Sequence, residues 1–173
     1  MNSRSKIIEL PNFDHNECFG CGSANSSGLK MKFFAENDKV FSRITLPAHL
    51  MGWNGVAHGG IVSTLLDEIM GWSAIFFTHN FILTKSMTIT YHRPVMVGDS
   101  LYIEGRLSEK LSEREAVMEG SVYNSKGELC TSSVGNFALL KPEFIKKMKI
   151  MPEHEIDEFT AIINSSLALQ EKG

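Results

Sequence analysis

Cysteine is scarce in this 173-residue chain. Cys18, Cys21 and Cys130 are too few and too unevenly spaced for a disulfide framework, so a reducing, cytoplasmic setting is expected. Basic runs are also missing. The net charge is −3, and the only compact cationic cluster, Lys146, Lys147 and Lys149, reads as a solvated helix face. Phosphate contacts need a concentrated positive surface, so no nucleic-acid partner is expected. The first residues, MNSRSKIIELPNF, hold no continuous apolar stretch and give no secretory signal. The longest apolar run, residues 69–77, falls well short of the ~20 residues of a membrane span, so no membrane partner is expected. Repeats and low-complexity segments are not found. What is present is a soluble globular composition with enough length for one full core.

Residues 1–28 are polar and rich in Gly, Asn and Ser, which predicts an irregular leader. Residues 29–36 and 40–46 read as a strand pair around Asn37 and Asp38, and 47–57 as a loop. From His58 or Gly59 to about Phe77, Ile61, Leu65, Ile69, Trp72 and Phe76 recur at helical spacing. Val62, Leu66 and Met70 add a second apolar row, so this helix should be buried on several sides. Strand-like runs follow at 84–92, 99–107, 114–123 and 129–140, with Met87, Ile89 and Tyr91 on one face of the first. Pro142 and Pro152 suit first helical turns, and Ile156, Phe159, Ile163 and Leu167 give the last helix an apolar stripe. Short links between the late strands imply a mainly antiparallel sheet curved around one long helix, an α+β fold. The domain should occupy 29–141, with a helical tail over 142–173.

The segment GVAHGGIVSTLLDEIM (55–70) carries the chemistry. Backbone N–H groups at a helix start lack intrahelical partners and carry the positive end of the helix dipole. Gly59 and Gly60 leave those donors open to a carbonyl oxygen, an oxyanion-type arrangement. Tight packing at the entrance is the bland alternative. Asp67 lies within an apolar helix pattern, where a carboxylate needs partners or a raised pKa and becomes a candidate general base. Glu68 points about 100° away and is assigned a structural or surface role. Asp67 is eight positions beyond Gly59, roughly 12 Å along the axis. A general base must work within ~3 Å or through one water. Two antiparallel helices in a two-fold dimer would bring each entrance to the other's carboxylate, so a homodimer with composite sites is expected.

Three stretches, CFGCGSANSSGLKMKF (18–33), GVAHGGIVSTLLDEIMGW (55–72) and TKSMTITYHRPVMVGD (84–99), resemble the hotdog-fold acyl-CoA thioesterases of the phenylacetate-pathway and THEM-like branch. The resemblance covers residues 18 to about 140. It implies a curved antiparallel sheet around one helix, in a dimer or a dimer of dimers (a homotetramer). It implies hydrolysis of acyl-CoA thioesters without a cofactor. The Gly59 amide would polarise the carbonyl and Gly60 would keep the entrance open. Asp67 of the partner subunit would activate water or attack directly, Thr84 would orient the water, and His58 would shape the entrance. Asn54 lies in MGWNGVA, which departs from the family's asparagine-containing variants, and is carried as a candidate substrate contact.

His92 and Arg93 are candidates for the phosphates of coenzyme A, because Arg suits phosphate recognition. Trp53 and Trp72 are read as packing residues. Cys18 and Cys21 have the spacing of a metal half-site or redox pair. A structural zinc needs two more ligands, with Cys130 a single distant candidate, and the βαβ context of a thioredoxin is missing; no metal is assigned. The competing function is a non-catalytic acyl-CoA or lipid-binding module on the same fold. A hydroxyacyl dehydratase would need a His–acid pair, and no motif supplies one.

Overall fold

The computed structural model describes residues 7–13 and 15–170, with the side chains of 165–170, Leu167 included, outside the described residues along with 1–6, 14 and 171–173. The chain runs β1 (Ile8–Glu9), β2 (Phe34–Glu36), β3 (Lys39–Thr45), a 3-10 turn (Ala48–Leu50), β4 (Met51–Trp53), β5 (Val56–Ala57) and α1 (Gly59–Thr78). It continues through β6 (Phe81–Tyr91), β7 (Ser100–Ser112), β8 (Glu115–Tyr123), β9 (Leu129–Leu140), α2 (Pro142–Met148) and α3 (Glu153–Gln170). Seven strands form one antiparallel sheet in the order β1-β2-β3-β7-β8-β9-β6, and β4 and β5 form a separate hairpin.

The sheet wraps α1. Leu65, Leu66, Ile69 and Met70 of the helix are fully buried, as are Ile103, Met118 and Phe137 of the strands facing it. Gly105 of β7 lies directly opposite Gly120 of β8. A Cβ at Gly105 would meet the Ser73 hydroxyl and come within 2.8 Å of the Ile69 carbonyl. These glycines let the helix backbone sink into the sheet. By length and composition α1 could cross a membrane, yet those apolar residues fill the hollow of the sheet.

Several expectations are corrected. The leader is not wholly irregular: Ile8–Glu9 pair with β2 as an edge strand, and Leu10 and Cys21 enter the core. The first strand of the expected pair begins at Phe34, not at 29, and is three residues long. Residues 29–33 instead run beside the leader, with Leu29 N–H bonded to Phe19 O at 2.8 Å and Met31 N–H to Gly20 O at 3.0 Å. The loop 47–57 contains the β4–β5 hairpin, pinned by Ala57 N–H to Val95 O (2.8 Å) and Val97 N–H to Gly55 O (3.0 Å). The β7 strand extends to Ser112, five residues beyond the expected end at 107, because irregularities at Leu107/Glu109 and Lys110/Ser112 let it keep pairing with β8.

The tail folds back on its own domain. Ile145, Ile156 and Ile163 bury against Phe81. Phe159 packs against Trp72 and Phe81, with ring centroids 6.2 and 5.1 Å away. A Lys146–Asp157 ion pair at 2.7 Å joins α2 to α3.

Candidate active site

His58 is the N-cap of α1. Its Nδ1 accepts the Gly60 N–H at 3.0 Å, and its carbonyl accepts from Ile61 and Val62. The Gly60 donor is therefore already used, whereas the Gly59 N–H has no hydrogen-bond partner among the described residues. A side chain at Gly59 would find only Tyr91 within 4 Å, its hydroxyl at 3.5 Å. Own-chain packing thus does not demand glycine there, and the helix mouth opens outward.

Two residues not singled out by their chemistry frame this mouth. The Tyr91 hydroxyl donates to Gly59 O at 3.1 Å and sits 3.1 Å from the Ser63 hydroxyl, while Ser63 also donates to Gly59 O at 2.9 Å. The strand pattern groups Tyr91 with Met87 and Ile89 on one face; its bond to the helix start depends on the register.

Asp67 is half-buried and accepts a 2.7 Å hydrogen bond from the Thr84 hydroxyl on β6. This pairing depends on an irregularity. Thr84 pairs with Phe137 and Ser86 with Asn136, so Lys85 is an extra residue in the strand. Strict alternation would put Thr84 and Tyr91 on opposite faces, seven positions apart. The bulge reverses the parity, so both reach α1.

Asp67 and Thr84 stand at the wall of a cavity of about 500 Å³. Its apolar end is built by Trp72, Ile75, Phe81 and Phe159, so the C-terminal helix forms part of the wall. Trp72, expected only to pack, stacks on Phe33 at 5.0 Å and also lines this space. Trp53, also expected to pack, is 85% exposed.

Beside Asp67 lies an acidic cluster. Glu68 is pushed up to about 8, first by burial and then by the neighbouring Cys18 charge. Its Oε1 is 3.3 Å from the Cys18 sulfur. Cys18 is lowered to about 5, first by the hydrogen bond from Cys21, while Cys21 is pushed up by that same bond and by burial. Of the two roles assigned to Glu68, structural or surface, the surface one is corrected: it turns inward onto the cysteine loop.

The remaining candidates lie elsewhere. Asn54 is exposed in the β4–β5 turn. His92 Nε2 is 2.8 Å from the Ser132 hydroxyl. Arg93 donates to Leu129 O at 2.9 Å and approaches Glu128 at 3.9 Å, so part of its guanidinium is held by the start of β9. Both follow Tyr91 and therefore sit at the end of β6 nearest the helix mouth. Gly59 and Asp67 are not brought together within one chain.

A long helix wrapped by an antiparallel sheet, with an open helix mouth and an acid two turns further on, defines a hotdog-fold protein. Residues 54–131 match the model of the Thioesterase superfamily. Acyl-coenzyme A thioesterase THEM4 of Bos taurus is 25% identical over 141 residues, 80% of this chain and 57% of that protein. The chain therefore spans little more than half of that relative's length. A solved thioesterase superfamily protein superposes with a TM-score of 0.64 at 25% identity, over 72% of this chain and 60% of the other. A Streptococcus mutans protein bound to acetyl CoA gives 0.59 at 23% identity, over 64% and 89%. The chain therefore has the hotdog fold, and its residues 54–131 are similar to the Thioesterase superfamily.

Proposed function

We propose that the chain hydrolyses acyl-CoA thioesters in a two-fold dimer whose sites combine Asp67 and Thr84 of one subunit with Gly59 of the partner subunit. The observation that carries this reading is the Thr84–Asp67 hydrogen bond at the wall of an apolar-ended cavity. The unpaired Gly59 N–H, eight residues away on the same helix, supports the shared arrangement. So does β6, an eleven-residue strand at the open edge of the sheet. Such an edge is a template for pairing with another chain. Leu83 and Tyr91 are exposed apolar residues on it. The acyl-CoA thioesterase activity of the bovine relative and the acetyl CoA bound by the streptococcal neighbour support the substrate class.

In this reading the acyl group lies in the cavity toward Trp72 and Phe159. The Thr84 hydroxyl holds Asp67 Oδ1, leaving Oδ2 to take a proton from water. The hydroxide adds to the thioester carbon, and the oxyanion forms at the Gly59 N–H of the partner subunit. Collapse breaks the C–S bond and expels the coenzyme A thiolate, which takes up the proton. His92 and Arg93, beyond the helix mouth, would receive the coenzyme A phosphates. A reducing, cytoplasmic setting belongs to this reading. The test is release of free thiol from a panel of short, long and aromatic acyl-CoAs. Turnover by the wild type that disappears in Asp67→Asn, with acyl-CoA binding kept, supports hydrolysis. Tight binding without turnover by the wild type would make the chain a binding module instead.

A further inference from the structure

The cavity wall next to Asp67 holds a second constellation that hydrolysis does not use. Cys18, Cys21 and Glu68 bring two sulfurs and a carboxylate oxygen within 4.8 Å of one another. The Cys18 sulfur lies 3.3 Å from Glu68 Oε1. Zinc–sulfur bonds of ~2.3 Å and zinc–oxygen bonds of ~2.1 Å in a tetrahedron require donor separations of about 3.5–3.8 Å. Small side-chain movements suffice to close the set around one ion.

The backbone is built for charged sulfur. In Cys18-Phe19-Gly20-Cys21-Gly22, the N–H groups of Cys21 and Gly20 point at the Cys18 sulfur. The Gly22 N–H closes the loop onto Cys18 O at 2.9 Å. A Cβ at Gly22 would strike Asn16 O and the Cys18 backbone, and one at Gly20 would occupy the place of the Glu68 side chain. Asn16 fixes the outer layer: its Oδ1 accepts the Cys18 N–H at 2.8 Å, and its Nδ2 lies 3.8 Å from the Cys21 sulfur. Asn12 holds both Asn16 and the Cys21 carbonyl. The loop is anchored on residues 29–31 by the Phe19 and Gly20 carbonyls. Such outer hydrogen bonds orient metal ligands and tune their basicity. Among the described residues no Lys or Arg forms an ion pair with Glu68.

We propose that Cys18, Cys21 and Glu68 bind one zinc-class divalent cation, tying the N-terminal loop to α1 at the cavity wall. Two thiolates with one carboxylate suit a borderline-soft ion in tetrahedral geometry, not calcium or magnesium. All three residues line the cavity, so the fourth vertex faces that space and is left to water or a cavity ligand. Binding displaces the thiol and carboxyl protons to solvent. A disulfide would use the two sulfurs but leave Glu68 without a purpose in the cluster. The site stands whether or not the chain hydrolyses thioesters.

The experiment titrates the full, reduced, metal-free chain with Co2+ and then displaces it with Zn2+. One equivalent per chain should give a thiolate-to-cobalt charge-transfer band, bleached by Zn2+. Cys18→Ser and Cys21→Ser should lose the band, Cys130→Ser should keep it, and Glu68→Gln should weaken affinity on the order of tenfold or more. Zn2+ should raise the thermal midpoint of the wild type, and the wild-type spectrum alone tests the site should a cysteine variant fail to fold. Absence of the band in the reduced wild type, or its survival in a folded Cys21→Ser chain, overturns the proposal. So does a chain that responds only by forming a Cys18–Cys21 disulfide, with a loss of two hydrogens by mass.

Discussion

Thr84 donates a 2.7 Å hydrogen bond to Asp67 across the strand–helix interface. A single extra residue, Lys85, turns the Thr84 side chain toward the helix. The bond fixes one carboxylate oxygen and, in the proposed reaction, leaves the other to take the proton from water. Asp67→Asn should keep the fold and lower turnover about 10²- to 10⁴-fold, the usual range for a lost general base. Thr84→Val should lower it less, roughly tenfold to a hundredfold, by misplacing the acid. Because the two act as one unit, the double variant should be no worse than Asp67→Asn alone. Steady-state thiol release from all three variants checks this, and full additivity would assign Thr84 a separate role.

Two glycines separate the proposed catalytic space from packing space. Gly59→Ala meets nothing closer than the Tyr91 hydroxyl at 3.5 Å, so thermal stability should hold or rise slightly. Thioester turnover should still fall roughly tenfold to a hundredfold as the methyl group crowds the carbonyl. Gly105→Ala is the converse. Its methyl would press on the Ile69 carbonyl and the Ser73 hydroxyl, and the strain should cost about 3 kcal/mol. Denaturant midpoints set beside kcat/KM separate the two classes. A Gly59→Ala chain that loses stability would mean the glycine serves packing after all.

The contrast between these glycines shows where reading from residues succeeds. The apolar rows of α1 are a direct count of helical spacing, so the central helix and its burial are visible beforehand. Asp67 and Gly59 stand out because each breaks that pattern. The pairing of Thr84 with Asp67 is less accessible, because one inserted residue inverts strand parity and no composition signal marks it. The place of Glu68 is hidden for a related reason. Helical angle separates it from Asp67, but only the fold carries Cys18 and Cys21, some fifty positions earlier, to that face. The apolar cavity end depends on the tail packing Phe159 against Trp72, a contact between segments too distant for periodicity to link.

His79 gives a pH-dependent contribution to stability. It caps the C-terminus of α1 in the left-handed region, φ 55°, and its Nδ1 is buried with no hydrogen-bond partner. Burial lowers its pKa from the ordinary 6.5. The unfolded chain therefore takes up the proton first as pH falls. Stability present above pH 6.5 is lost progressively as pH drops through the folded value. His79→Asn tolerates the same backbone conformation without titrating. Thermal midpoints between about pH 5 and 8 should show a shallower acid-side decline in the variant. Identical pH slopes would assign the decline to other groups.

Shared sites make a prediction that no single-chain site can match. Asp67→Asn and Gly59→Ala chains should each keep about a tenth of the wild-type rate or less alone. In a mixed dimer, one site would carry both defects and the other would carry neither. Random reassociation of equal amounts should therefore restore about a quarter of the wild-type rate, one intact site among four. In the proposed dimer, exchange requires the β6 edges to separate and pair again, so recovery should follow mild denaturation and refolding rather than simple mixing. Antiparallel pairing centred between Met87 and Thr88 would set Thr84 against Tyr91 of the partner subunit. Thr84 is bonded to Asp67, and Tyr91 to Gly59. That register therefore carries each acid toward the opposite helix mouth. A refolded mixture no more active than its parents would return both residues to one chain, and the roughly 12 Å between them would then rule out their acting on one carbonyl.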